Sequence, residues 1–204
     1  PGRAVAPSGL GTGAIAVGFK SGRSGKPTVL YELMITSLGG TRSHDGASIV
    51  LPMNHFAPGT PIEIVETEYP VSVRQYKIWQ DSAGAGRWRG GLGFVREYEF
   101  LADCMLTVRS ANHKHPAWGL FGGGSPKASK TTIQEPESDP VDTDVLETRP
   151  AQTGSRLAMY QSGGGGYGNP KERPKALVLS DIENGYVSRE AARHVYGVKN
   201  PDDS

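Results

Sequence analysis

Two glycine-rich stretches set the strongest limit on what this chain can fold into: DSAGAGRWRGGLG at 81–93 and SGGGGYGNP at 162–170. A helix through the first is disfavoured, because each of the four glycines between 84 and 91 costs ~1 kcal/mol relative to alanine. Phosphate-cradling loops also contain glycine, but they converge their N–H groups on the ligand, usually at a helix N-terminus. Neither stretch has that context. The first leads into a strand pattern and lacks the Lys-Ser/Thr that closes a P-loop. The second runs into Pro170, a charged segment and another apolar run. Tight turns and close backbone approach are the better physical reading, leaving Arg87 and Arg89 to pair with carboxylates or anionic ligands.

The remaining composition fits a turn-rich protein. The 204 residues include 28 glycines and 15 prolines, with a hydrophobic fraction of 36%. Alternating apolar and polar positions predict strands at GAIAVGF (13–19), TVLYELMITS (28–37), VSVRQYKIW (71–79), FVREYEF (94–100), CMLTVR (104–109), SRLAMY (155–160) and KALVLS (175–180). In FVREYEF, Phe94, Tyr98 and Phe100 share one face and Val95, Glu97 and Glu99 the other. Alternation in PIEIVETEYP likewise puts Glu63, Glu66 and Glu68 on the solvent side of a strand. Residues 125–148 carry six acids and no base after Lys130, and are expected to form a solvated, mobile acidic loop. One clear helix is predicted near the C-terminus, N-capped by Ser188 after a turn at Asn184-Gly185 and stopped by Gly197. The expected fold class is α+β and β-rich: many short strands, glycine-rich turns and a short C-terminal helix.

Several function classes are excluded or disfavoured. Lys plus Arg is 22 against 21 acids, so there is no electrostatic case for nucleic acid or an anionic membrane. No apolar run approaches the ~20 residues of a membrane span, and no secretory signal is visible. The one cysteine, Cys104, rules out an internal disulfide framework; it reads as a small core residue. A soluble, cytoplasmic protein is expected. The opening PGRAVAPSGLGTG has no initiator Met and no pattern of its own, so the chain looks like part of something longer. His113 and His115 lie two apart but lack further ligands at metal spacing, and read as a loop-borne pair. His44 and His55 have no supporting pattern.

In order along the chain come GGTRSHDG (39–46), PIEIVETEYPV (61–71), DSAGAGRWRGGLG (81–93), HPAWGLFGGG (115–124), SGGGGYGNPKERP (162–174) and DIENGYVSREAARHVYGV (181–198). This series resembles the C-terminal part of the hydantoinase B/oxoprolinase family, whose members include subunits of N-methylhydantoinases, 5-oxoprolinase, and acetone and acetophenone carboxylases. The resemblance covers nearly the whole of 1–204. It implies part of a multi-subunit ATP-dependent enzyme acting on a cyclic amide by hydrolysis or on a ketone by carboxylation. ATP would sit on an A-type partner subunit that phosphorylates the substrate oxygen, making it a leaving group. A divalent metal (Mg, Mn or Zn) is implied for the whole complex, with no cofactor or metal ligand carried onto this chain. Partners would be the A-type subunit, the N-terminal remainder of the B-type subunit and the small amide or ketone substrate. On this reading Asp81, Ser82, Arg87 and Arg89 lie at a catalytic cleft or the A-type interface. Gly84, Gly86, Gly90, Gly91, Gly164, Gly165, Gly166 and Tyr167 would contact substrate or partner. The alternative is a non-catalytic assembly module whose glycines only shape turns.

Overall fold

The computed structural model describes residues 4–9, 13–21, 25–35, 37–50 and 59–199; His55 lies outside them. Among the described residues, nine strands and three short α-helices follow the chain. They are β1 (Gly13–Phe19), β2 (Thr28–Met34), α1 (Ile62–Glu68), β3 (Val71–Ile78), β4 (Phe94–Phe100) and β5 (Cys104–Arg109). Then come β6 (Lys130–Gln134), β7 (Val141–Asp142), β8 (Leu146–Ala151), β9 (Arg156–Gln161), α2 (Lys175–Glu183) and α3 (Arg189–His194). The strands form two antiparallel sheets, ordered β2-β1-β5-β8 and β3-β4-β9-β6-β7. The fold is α+β and β-rich, as the sequence led us to expect.

Period-two patterning aims one face of each sheet at the other. Ile15, Val17 and Phe19 of β1 meet Phe94, Tyr98 and Phe100 of β4, with Leu106, Val108, Ile133, Leu157 and Met159 filling the space between. Burying each such side chain contributes about 1.5–3 kcal/mol. A buried charged pair joins the two sheets through inward positions, Glu32 on β2 and Arg96 on β4. Arg96 Nη2 donates to Glu32 Oε1 at 2.9 Å, and the Tyr98 hydroxyl donates to Glu32 Oε2. The Arg96 guanidinium lies between the Tyr76 and Tyr98 rings. Burial drives the Tyr98 hydroxyl far above its ordinary pKa; Arg96 opposes that shift and Glu32 adds to it.

Three local expectations need correction. PIEIVETE is helix α1 rather than a strand: Pro61, at φ −53°, presets the chain for a helical turn, and Val65 alone is buried. KALVLS lies in α2 for a similar reason, following Pro174 at φ −52°, with Val178 and Asp181 buried at helical spacing. Residues 125–148, expected as a mobile acidic loop, instead supply β6, β7 and the start of β8. Alternation of buried Thr131 and Ile133 seats β6 against β9. Its acids are accommodated at the rim, where Glu135 accepts from Ser155 and pairs with Arg149. The Ser188 cap is as expected: its hydroxyl accepts from Ala191 N–H at 3.0 Å, and Gly197 has φ +74°. Among the described residues no helix is long and apolar enough to cross a membrane.

Cys104 is a core residue, and burial, reinforced by the charges of Asp103 and Glu135, pushes its thiol up to about 12. The thiolate is the reactive form. Iodoacetamide at pH 8 should therefore leave Cys104 unmodified in the folded protein and alkylate it readily in urea. Rapid labelling of the native state would contradict this placement. The same shift has a fixed sign: the folded thiol keeps a proton that the unfolded one loses above its ordinary range. Its contribution to stability is complete below that range and declines as pH rises toward about 12.

Candidate functional site

Between the sandwich and the C-terminal helices, four irregular segments lie side by side: 37–47, 82–93, 118–124 and 162–168. Their backbones bond across one another rather than in a regular ladder. Gly84 N–H donates to Gly164 C=O, Gly164 N–H to Gly91 C=O, and Gly91 N–H to Leu38 C=O, all at 2.8–2.9 Å. Gly166 N–H donates to Gly124 C=O, Gly124 N–H to Ala85 C=O, and Gly40 N–H to Gly165 C=O. Trp88 and Tyr167 exchange both of their bonds.

Such an arrangement requires glycine because the chains are too close for a side chain. A Cβ on Gly90 would stand 1.9 Å from Gly164 O, and one on Gly166 would stand 1.9 Å from Ala85 O. Gly84, Gly86, Gly91, Gly164 and Gly165 are likewise packed against neighbouring backbone. The structure thus places these glycines, expected to contact substrate or partner, against each other. The N–H groups of Gly84, Gly90, Gly91, Gly164, Gly165, Gly166 and Tyr167 all go to carbonyl oxygens. They do not fit a nucleotide phosphate, which needs free N–H groups aimed at it.

A four-membered ion network fastens α2 to this framework. Arg173 donates to both oxygens of Asp45, at 2.7 and 2.8 Å, and to Asp181 Oδ2 at 2.8 Å. Arg89 Nε donates to Asp181 Oδ1 at 3.0 Å, while Asp45 Oδ1 also accepts the Arg89 N–H. Two cations and two carboxylates alternate, so the charges cancel within the cluster. Burial works against the charge on Arg173, yet hydrogen bonding and attraction from Asp45, with Asp181 adding to it, hold its pKa above the ordinary value. Arg89 also lies 5.1 Å from the centre of the Tyr186 ring.

The four residues expected at a catalytic cleft or interface are thereby separated into distinct situations. Ser82 is fully buried; its hydroxyl donates to Trp79 C=O and accepts Gly93 N–H, bracing the turn between β3 and β4. Asp81 sits at φ +56° and accepts the Ser188 N–H at 2.8 Å, tying α3 to that turn. Arg89 belongs to the ion network. Arg87 is half exposed, with Glu172 4.0 Å away. Its N–H donates to Gly168 C=O, next to Tyr167, on which Phe121 packs at 5.1 Å; Phe121 is exposed, as is Trp118 three residues before it.

A cleft of ≈ 390 Å³ opens beside the network, lined in part by Asp81, Arg89, Lys127, Tyr186 and Tyr196. Lys127 Nζ donates to Gln80 C=O and stands 5.4 Å from the Trp79 ring centre. An apolar hollow with a few polar groups at its wall is the usual form of a small-molecule site. Among the described residues no group of three or more His, Cys, Asp or Glu could hold a metal ion. Sequence reasoning missed Asp45, Arg173, Asp181, Tyr186 and Lys127. A buried arginine 128 positions from its carboxylate partner leaves no local signal.

The chain resembles known proteins over most of its length. It is 35% identical over 191 residues to the B-type subunit of a putative D-/L-hydantoinase from Pseudomonas sp. (strain NS671), covering 92% of this chain and 32% of that protein. It is 28% identical to the acetone carboxylase alpha subunit of Xanthobacter autotrophicus (strain ATCC BAA-1158 / Py2), covering 82% of this chain and 26% of the relative. The crystal structure of ATP-dependent caprolactamase from Pseudomonas jessenii superposes with a TM-score of 0.82 at 30% identity, covering 97% of this chain and 36% of that one. The chain thus spans about a quarter to a third of the length of these relatives. The family model for hydantoinase B/oxoprolinase matches residues 1–170. The glycine framework falls within that match, and the chain belongs to the hydantoinase B/oxoprolinase family.

Proposed function

We propose that this chain is the framework module in the C-terminal part of a B-type subunit, within an ATP-dependent enzyme that hydrolyses a cyclic amide. ATP and its divalent metal are held elsewhere in that complex, the nucleotide on an A-type partner. The observation that carries this reading is that the N–H groups of Gly84, Gly90, Gly91, Gly164, Gly165 and Gly166, and the Arg89 Nε, are taken up by partners within the chain. Groups so committed hold a shape rather than bind a phosphate. The amide class is favoured over ketone carboxylation because identity to the hydantoinase relative is 35%, against 28% to the acetone carboxylase relative. On this reading the exposed Arg87, with the exposed aromatics Trp118 and Phe121, faces the A-type partner; arginine and aromatic residues are the usual anchors of such contacts.

The test is reconstitution with the A-type chain, following ATP consumption together with ring opening of a lactam or hydantoin. Ring opening coupled to ATP is expected; consumption of a ketone that requires bicarbonate would reverse the assignment. The variants R87A and W118A should each weaken A-type association about tenfold and leave kcat unchanged at saturating partner. Unchanged association in both would remove the interface assignment.

A second reading is supported by the cleft beside Arg89, in which Asp81 and Lys127 would contact the substrate. Under it, K127M raises KM for the amide with little change in partner affinity. The framework reading expects KM to stay within about twofold, below the effect of one lost hydrogen bond to a charged group.

A further inference from the structure

The two outer faces of the sandwich are built differently. On the β3-β4-β9-β6 face, outward positions carry Arg74, Glu97, Glu99, Arg156 and Lys130, and Glu99 pairs with both Arg74 and Arg156. That is a face made for water. On the β2-β1-β5-β8 face the register aligns three rows: Leu33–Ala14–Arg109–Leu146, Tyr31–Ala16–Thr107–Thr148 and Val29–Gly18–Met105–Pro150. Eleven of these twelve positions are uncharged, yet Tyr31 is 61%, Met105 50% and Leu146 67% exposed. Antiparallel sheets with one solvated face carry polar residues there, and an exposed apolar patch of this kind marks a contact surface.

Its relief is as informative as its chemistry. Ala14, Ala16 and Gly18 run along β1 as a floor of small residues. Val29, Tyr31 and Leu33 rise on one side, and Met105, Thr107 and Arg109 on the other. Strands lie ~4.8 Å apart, so the ridges stand about 10 Å from each other, close to the diameter of an α-helix. Four strands and three rows cover about 400 Å². A contact of that size buries about 800 Å² in total, within the roughly 600–1,500 Å² of interfaces between domains of one chain. It falls below the roughly 1,200–2,000 Å² of stable interfaces between separate proteins.

We propose that this face is the seat of the rest of the B-type polypeptide, which lays an apolar helix along the Ala14–Ala16–Gly18 groove. The inference rests on the B-type reading. The matched relatives are about three times as long as this chain, and the modest area suits a segment held nearby by its own chain.

The experiment uses the whole natural polypeptide that carries this region, purified without the A-type chain. Cys104 is buried and protonated, and labelling is read on the peptides that carry residues 31 and 130, so cysteines elsewhere in the polypeptide do not enter the comparison. The variant Y31C should react with a maleimide about tenfold more slowly than K130C on the opposite face, the protection expected of a docked surface. In the unsubstituted protein Met105 should resist peroxide oxidation, a readout that needs no variant to fold. A16K, which places a charge in the groove, should restore Met105 oxidation. Both protections should be indifferent to dilution. Equal labelling of Y31C and K130C would overturn the proposal. Protection lost on dilution would assign the face to a second copy, and protection appearing only with the A-type chain would assign it to that partner; either overturns it too. Ring-opening activity is read separately, so a docked face without amide hydrolysis would refute the function and leave the docking intact.

Discussion

Replacing Arg173 by methionine is expected to destabilise the fold by about 3–5 kcal/mol, the cost of leaving buried carboxylates without their cation. Arg173 bonds three oxygens on two carboxylates, Asp45 and Asp181, and its side chain is 1% exposed. Without it, Arg89 alone faces both acids. Lysine should rescue poorly, since a single ammonium cannot reproduce the planar fork that grips both oxygens of Asp45. Urea unfolding measures the loss. Limited proteolysis locates it, with cleavage expected first around 169–175, where α2 separates from the framework. A loss under about 1 kcal/mol, the level of an ordinary surface pair, would mean that the network is ornamental.

Gly90→Ala should be at least as damaging. Its new methyl would lie 1.9 Å from Gly164 O and close to Gly164 C, and both are main-chain atoms that cannot rotate away. Ordinary overpacking costs about 1–3 kcal/mol because side chains yield; here the 82–93 and 162–168 segments must part. Gly59→Ala is the matched control, since nothing lies within 4 Å of the added carbon and its φ is not positive. Thermal unfolding should show a large drop in Tm, or no soluble protein, for the first variant and no shift for the second. Equal Tm values would refute the close-packed framework.

These two positions show where sequence reading succeeds and where it stops. Strands β1, β3, β4, β5 and β9 were legible because period-two alternation is local, and GAIAVGF has the bounds of β1. Close backbone approach was also legible, since only that need explains so many glycines in a strand-flanked segment. Two helices were misread because their short apolar patterns fit both periods, and the prolines that start them carried the deciding information. β6 was hidden by its acidic surroundings, though Thr131 and Ile133 supply an inward face. At the site, sequence singled out Arg89 as a residue that pairs with a carboxylate or an anionic ligand, but could not say which. Its partner Asp181 lies 92 positions away and enters from α2. Such pairing is decided by tertiary geometry that no local window contains.

The framework also constrains the order of events during synthesis. Its first segment lies near residue 40 and its last ends at Gly168, so the glycine backbones can satisfy one another only after most of the chain has been made. Until then the N–H groups of Gly84, Arg87 and Trp88, which go to Gly164, Gly168 and Tyr167, have only water to bond, and the turn bearing Asp81 has no α3 to receive. Loop closure over such separations is slow, and the interval leaves unpaired backbone open to other chains. Release of the chain before residue 168 would therefore yield a sandwich core without its glycine layer, a species prone to association. Yield in the cell should depend on what shelters that layer before it closes.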